Sequence, residues 1–118
     1  MLVAEKALVR AHFDIAAAMQ VGATDEQLIE PRKLLRHAQF RRDYVSSSNG
    51  MGFHSPQESM RILGASANQA QQVRVLAARL LAKKGVVDVP KYPDLSTRQK
   101  AWAVTEAFMH GEGIKLLP

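Results

Sequence analysis

The chain has 118 residues, a formal net charge of +5, and a composition in which 47% of the residues are hydrophobic but only 6% are aromatic. Abundant alanine with few aromatic residues favours close-packed helices over a β-sandwich or a barrel. The chain contains no cysteine, which excludes disulfides, thiolate metal sites, cysteine nucleophiles and cofactor attachment through a C-x-x-C-H motif.

The first predicted element is an amphipathic helix over residues 2–20. Its apolar residues recur at spacings of three and four, which place the following on one helical face: Ala4, Leu8, Ala11, Ile15 and Met19. Gly22 then supplies a helix stop. Charged residues interrupt the segment, so we predict neither a signal peptide nor a membrane span.

A second helix is predicted to start at a capping box formed by Thr24 and Gln27. Pro31 lacks a backbone N–H, so we expect the helix to restart or kink there and then to run over residues 32–47. The serines and the two glycines of residues 46–52 predict a tight loop after it.

The inward face of this second helix carries an arginine among apolar residues. Leu34, Ala38, Arg41 and Val45 fall on one stripe. An arginine in this setting needs a carboxylate partner, because an unpaired charge is costly to bury. Asp43, or another acid of this chain, is one candidate for that partner.

The strongest helix-start pattern is Ser55, Pro56 and Glu58, which suit the cap, the first helical position and the closing acid of a capping box. No proline follows before Gly85, so one helix of about 29 residues, roughly 43 Å long, is predicted over residues 56–84. We expect this helix to be too long for the other helices of this chain to bury its apolar surface. Its predicted apolar side consists of Met60, Leu63, Ala67, Ala70, Val73, Ala77, Leu80 and Leu81.

Residues 86–95 contain two prolines and are predicted to form an extended linker. Ser96 and Gln99 make another capping box, which opens a last helix that ends at about His110. The sequence therefore predicts an all-α chain, a single helical region over residues 1–118 with four or five helices.

One histidine has the features of a ligand. The four histidines lack metal-site spacing, so no self-contained metal site is predicted. His54, however, follows Gly50 and Gly52 and comes just before a well-capped helix. A neutral imidazole held in such a frame suits the sixth coordination position of a haem iron. The alternative is that His54 only packs or caps.

Two runs of the sequence resemble the pentahaem, ammonia-forming cytochrome c nitrite reductases in residue type, order and separation. The first is His-Ala-Gln-Phe-Arg-Arg-Asp-Tyr at 37–44, and the second is Gly-Met-Gly-Phe-His-Ser-Pro-Gln-Glu at 50–58. The likeness covers about residues 30–100, and the His-x-Pro-x-Glu string at 54–58 is its most specific element.

This resemblance implies that the chain is the C-terminal helical part of a larger, periplasmic multihaem enzyme that reduces nitrite to ammonia with six electrons. It implies that His54 is the distal axial ligand of a haem c attached upstream, and it offers a haem propionate as the partner of Arg41. The family uses its long C-terminal helices for dimerisation. The implied partners are therefore the upstream haem-bearing part of the same enzyme and, through residues 56–84, a second copy.

The chain also departs from the family pattern. Phe40 and Arg42 stand where the family has two tryptophans, and Gln57 with Glu58 stands where it has paired acids. All five haem-attachment motifs and the family's active-site lysine, arginine, tyrosine and histidine are absent. The resemblance therefore implies no catalysis by this chain alone.

Two other functions stay open. One is a stand-alone helical interaction module that dimerises through residues 60–81 and binds no haem. The other is a nucleic-acid binder that uses the basic residues of the second helix. Those residues point around the helix instead of forming one stripe, and aromatic stacking groups are few, so we predict no nucleic-acid partner.

Overall fold

The computed structural model describes residues 2–51, 56–95, 97–109 and 116–117. Within these ranges it has four helices, which are α1 (Leu2–Gln20), α2 (Asp25–Met51), α3 (Pro56–Lys83) and α4 (Arg98–Met109). The described residues contain no strand, which confirms the all-α prediction. The chain divides into two compact units, Met1–Val87 and Asp88–Pro118.

The first unit is built from α1, α2 and α3, each of which packs against the other two. Its core consists mainly of small or aliphatic side chains, namely Ala7, Leu8, Ala11, Ile15, Ala18, Leu28, Leu35, Ala38, Ala70 and Val73. The alanines let the helix axes approach closely, as the low aromatic content suggested. The predicted inward face of α1 is confirmed at Ala4, Leu8, Ala11 and Ile15, whereas Met19 near the helix end is 52% exposed.

Capping fixes where α1 and α3 end and where α2 begins. Gly22 and Gly85 follow α1 and α3 with φ of 89° and 84°, and the N–H of the residue after each glycine donates to the helix carbonyl five positions back, at 3.0 Å. Only glycine adopts this conformation without strain. The capping box before α2 is confirmed, because Thr24 N donates to Gln27 Oε1 at 3.0 Å and Gln27 N donates to Thr24 Oγ1 at 3.2 Å.

The structure corrects the predicted course of the second helix. α2 continues through Pro31 without a restart and extends to Met51, so the loop predicted over residues 46–52 is helical as far as residue 51. The buried Pro31 ring adds apolar packing that offsets the lost backbone hydrogen bond. Beyond Val45, serine, asparagine and glycine are weak helix formers, but once a helix is nucleated each costs less than about 1 kcal/mol.

The long third helix is confirmed with bounds of Pro56–Lys83. The expectation that this chain cannot cover it is wrong for one face, which α1 and α2 bury along its length at Ser59, Ser66, Ala70, Val73, Ala77 and Leu81. Met60 was predicted on that face but is 74% exposed, because the buried stripe passes through Ser59 instead.

The second unit contains the segment that follows α3 and then α4. Residues 89–95 have no helix or strand. The cap of α4 is Thr97, one residue after the predicted Ser96, because Thr97 Oγ1 accepts a hydrogen bond from Lys100 N at 3.1 Å. Ser96, Gly111 and Gly113 lie outside the described residues. A backbone hydrogen bond of 2.8 Å from Lys91 N to the carbonyl oxygen of buried Leu116 ties the unit's two ends together.

A bilayer-crossing segment would need about 20 predominantly apolar residues in one helix. None of the helices in the described part of the chain meets this requirement.

Candidate functional site

His54 falls between the ends of two helices. It belongs to residues 52–55, which lie outside the described residues, so the structure gives no geometry for its side chain. The flanking helices are described up to Met51 and from Pro56, and the buried faces of both belong to the core of the first unit. In the sequence, residues 52–55 connect α2 to α3, and His54 is the third of these four residues.

Arg41 lies half-buried on α2 and faces α3. Its Nη1 donates to Gln69 Oε1 at 2.5 Å, across the helix–helix contact. Asp43, the intrachain partner considered for it, instead accepts hydrogen bonds from Gln39 Nε2 at 3.1 Å and Arg42 Nη1 at 3.3 Å. The partner of Arg41 in the described chain is thus a neutral amide, which satisfies one donor and leaves the positive charge uncompensated.

One turn before Arg41, at Ala38, a hydrogen bond joins α2 to α3. Ser66 is fully buried, and its Oγ donates to the Ala38 carbonyl oxygen at 2.7 Å. Because Ser66 and Ala38 are small and the Ser66 hydroxyl has a hydrogen-bond partner, α2 and α3 can approach closely here. This close approach places Gln69 opposite Arg41. The hydrogen bond to Gln69 therefore holds the guanidinium of Arg41 against α3.

Arg42 joins α2 to α1, a role that the sequence did not predict. Its Nη2 donates to Glu5 Oε1 at 2.6 Å, and its Nη1 contacts Asp43. The hydrogen bond with Glu5 raises the pKa of Arg42 above its ordinary value. On the arginine side, the stabilisation from this raised pKa is present at every physiological pH and is lost only as the pH rises through the pKa of Arg42 in strong alkali. Sequence spacing could not reveal a pair that is 37 residues apart.

An aromatic pair projects from the outer side of α2. The rings of Phe40 and Tyr44 stack with centroids 6.4 Å apart and an interplanar angle of 22°. Phe40 is 70% exposed, and Tyr44 is about half exposed. Two large rings on the surface one turn apart are typical of a face that contacts another molecule or another part of the same protein.

A buried ion pair connects α1 to α3 away from these residues. Asp14 is 4% exposed, and its Oδ2 accepts a hydrogen bond from Arg74 Nε at 3.0 Å. Its burial in the helix contact gives it a structural role. Within the described residues, no group of three or more His, Cys, Asp or Glu side chains could hold a metal ion.

Comparison with known families shows the family of the chain. The model of the cytochrome c552 family matches residues 1–114, nearly the whole chain. The chain belongs to the cytochrome c552 family. This cytochrome c552 chain is thus a cytochrome c nitrite reductase-like protein, which confirms the resemblance found at 37–44 and 50–58 and extends it over α1.

Membership of the cytochrome c552 family associates the chain with haem c. The thioether links of haem c need cysteines, and the chain has none. Its residues can supply an axial imidazole and cationic or aromatic contacts, but they cannot supply the covalent attachment.

Proposed function

We propose that the chain is the helical, haem-flanking C-terminal part of a periplasmic, ammonia-forming cytochrome c nitrite reductase. The observation that carries the proposal is the family match over residues 1–114 of a chain without cysteine. Every haem c must then be attached to residues outside these 118. The role of this chain is to complete and cover haem sites that the upstream part holds.

In this proposal His54 is the distal axial ligand of one electron-transfer haem. An imidazole nitrogen ligates iron well when a rigid frame fixes its direction. Support comes from the family match, which includes His54, and from the place of this residue in the sequence between the ends of α2 and α3. A bis-histidine haem stays six-coordinate and is suited to electron transfer.

Arg41 is proposed to contact a propionate of a bound haem. A guanidinium has five N–H donors, and only the bond to Gln69 occupies Arg41 among the described residues. The remaining donors suit a carboxylate, which would also neutralise the half-buried charge. The exposed rings of Phe40 and Tyr44 on the same helix offer apolar surface to the haem-bearing part.

The outward face of α3 is proposed to pair with α3 of a second copy. It is exposed at several small or apolar residues, which are Met60, Gly64, Val75, Ala78 and Ala82. A Cβ added at Gly64 would have no described atom within 4 Å apart from its chain neighbours and the backbone of its own helix. A partner helix could therefore approach closely along this side, as small residues allow in other helix pairs.

Val75→Glu is expected to convert a dimer of the natural protein into monomers. A carboxylate at this position would be buried without a partner in the dimer, at a cost of several kcal/mol, which corresponds to a dissociation constant raised at least about 100-fold. Analytical ultracentrifugation measures the change. Val89→Glu, at a valine that is 69% exposed outside α3, is the matched control and should leave the dimer intact. A dimer equally stable in both variants would contradict pairing through α3.

The proposed function is tested by assaying the natural protein, purified with this chain in place, for nitrite reduction with a reduced viologen dye as electron donor. One ammonium ion per nitrite, with six electrons consumed, is the expected result. Unchanged nitrite in the presence of a reduced, haem-loaded protein would contradict it.

The second candidate function is a stand-alone helical interaction module without haem. The observation that favours it is the first unit, whose three helices share one core and whose α1 and α3 both end in glycine caps. A nucleic-acid interface has less support, because Arg32, Arg41 and Arg42 all form hydrogen bonds within the chain. Haem content separates the module from the nitrite reductase proposal.

A further inference from the structure

A groove runs between α1 and α2, on the first unit, and no part of the proposed haem site uses it. Its volume is about 340 Å³. The lining residues on α1 are His12 and Ile15, and those on α2 are Arg32, Leu35, Arg36 and Gln39. None of these lining residues is acidic.

The cationic side of the groove is only partly neutralised. Arg32 Nη1 forms a salt bridge with Asp25 at 3.1 Å. Arg36 is exposed, and it takes part in no salt bridge among the described residues. The residues one turn from it on α2 include Arg32 and Lys33 but no acid. Like charges at this spacing repel each other, and a bound anion would relieve that repulsion.

The floor of the groove is apolar. Ile15 and Leu35 line it, each with only a small exposed fraction, and both belong to the core cluster. At the groove wall His12 Nε2 lies 3.3 Å from Gln39 Oε1, which links α1 to α2. A ligand that fits this surface carries one negative group and a compact apolar body.

We propose that this groove binds a monocarboxylate with a short apolar body. The carboxylate is bound by the guanidinium of Arg36, which forms no salt bridge among the described residues. Arg32, one helical turn away, adds positive charge, but its Nη1 and Nη2 already contact Asp25 and Met19. The apolar body covers Ile15 and Leu35. A guanidinium binds a carboxylate through two parallel N–H donors. The site is independent of His54 and of any haem.

Octanoate is the probe, titrated into the full chain and followed by NMR shifts of the Ile15 and Leu35 methyl groups. Saturable shifts at these methyls are expected with octanoate, and octanol should bind at least about tenfold more weakly because it lacks the charge. Arg36→Gln should weaken octanoate binding by about tenfold, since it removes one charge-assisted contact. Arg36 is exposed, so circular dichroism should show an unchanged helix content.

Arg79→Gln is the matched control, because Arg79 is an exposed arginine on α3 that lines a different groove. Its octanoate affinity should equal that of the unmodified chain. Equal affinity for octanol and octanoate would overturn the proposal, and so would unchanged binding in Arg36→Gln. Equal weakening by both arginine substitutions would also overturn it, since it would show a response to net charge alone.

Discussion

Replacing His54 by alanine in the haem-loaded natural protein is expected to convert one haem from a six-coordinate, low-spin state to a five-coordinate, high-spin state. Loss of the imidazole leaves one axial position of that iron without a protein ligand. Absorption and electron paramagnetic resonance spectra should show one low-spin haem fewer per chain, with the other haems unchanged. The effect is all-or-none for that haem.

His37→Ala is the matched control for this experiment, because His37 is an exposed histidine on α2. It should leave the number of low-spin haems per chain unchanged. Arg41→Gln should also leave His54 bound to the haem iron. It should change the reduction potential of the haem whose propionate Arg41 contacts, because a nearby positive charge is lost. A low-spin count that is the same in His54→Ala and in the unmodified protein would contradict the ligand assignment.

Arg74→Met is expected to lower the free energy of unfolding by about 3 kcal/mol, because it removes the Arg74 guanidinium from the buried carboxylate of Asp14. Asp14 is the most deeply buried charged side chain in the described residues, and Arg74 Nε lies 3.0 Å from it. Urea denaturation followed by circular dichroism measures the change.

The same substitution at Arg79, exposed on the same helix, supplies the control and should change stability by less than about 0.5 kcal/mol. Adding Asp14→Leu to Arg74→Met should recover part of the loss, because the buried carboxylate is then removed. If Arg74→Met and Arg79→Met unfold at the same urea concentration, the buried pair does not stabilise the fold.

Local sequence patterns were sufficient to predict where α1 ends, where α2 begins and how far α3 extends. The capping box at Thr24 and Gln27, the stop at Gly22 and the long run from Pro56 to Lys83 are all determined by residues within a few positions of each other. Such short-range rules depend on backbone conformation and on which N–H and C=O groups need partners. The structure therefore reproduces them closely.

Tertiary packing decided the features that sequence patterns missed. α2 tolerates Pro31 and the weak helix formers before Met51, because burial elsewhere along the helix offsets their cost. Met60 is turned outward because the small Ser59 fits the contact with the neighbouring helices. Neither helix propensity nor the spacing of apolar residues predicts the continuity of α2 or the outward position of Met60.

The candidate site was only partly predictable for the same reason. Arg41 was recognised as an arginine on an inward stripe, but its partner Gln69 is 28 residues away. Arg42 bonds to Glu5 across 37 residues, and Arg74 bonds to Asp14 across 60. His54 was identified by the motif it shares with a family, and that family is the one whose model matches the chain.

The most direct test of the central claim is mass spectrometry of the natural protein that contains this chain, after proteolysis and with haem-bearing peptides mapped to the sequence. We predict several peptides with a haem attached through two cysteines, all of them from residues outside 1–118 and in the same polypeptide. A natural protein that contains this chain but carries no covalent haem would contradict the claim that His54 completes a haem site.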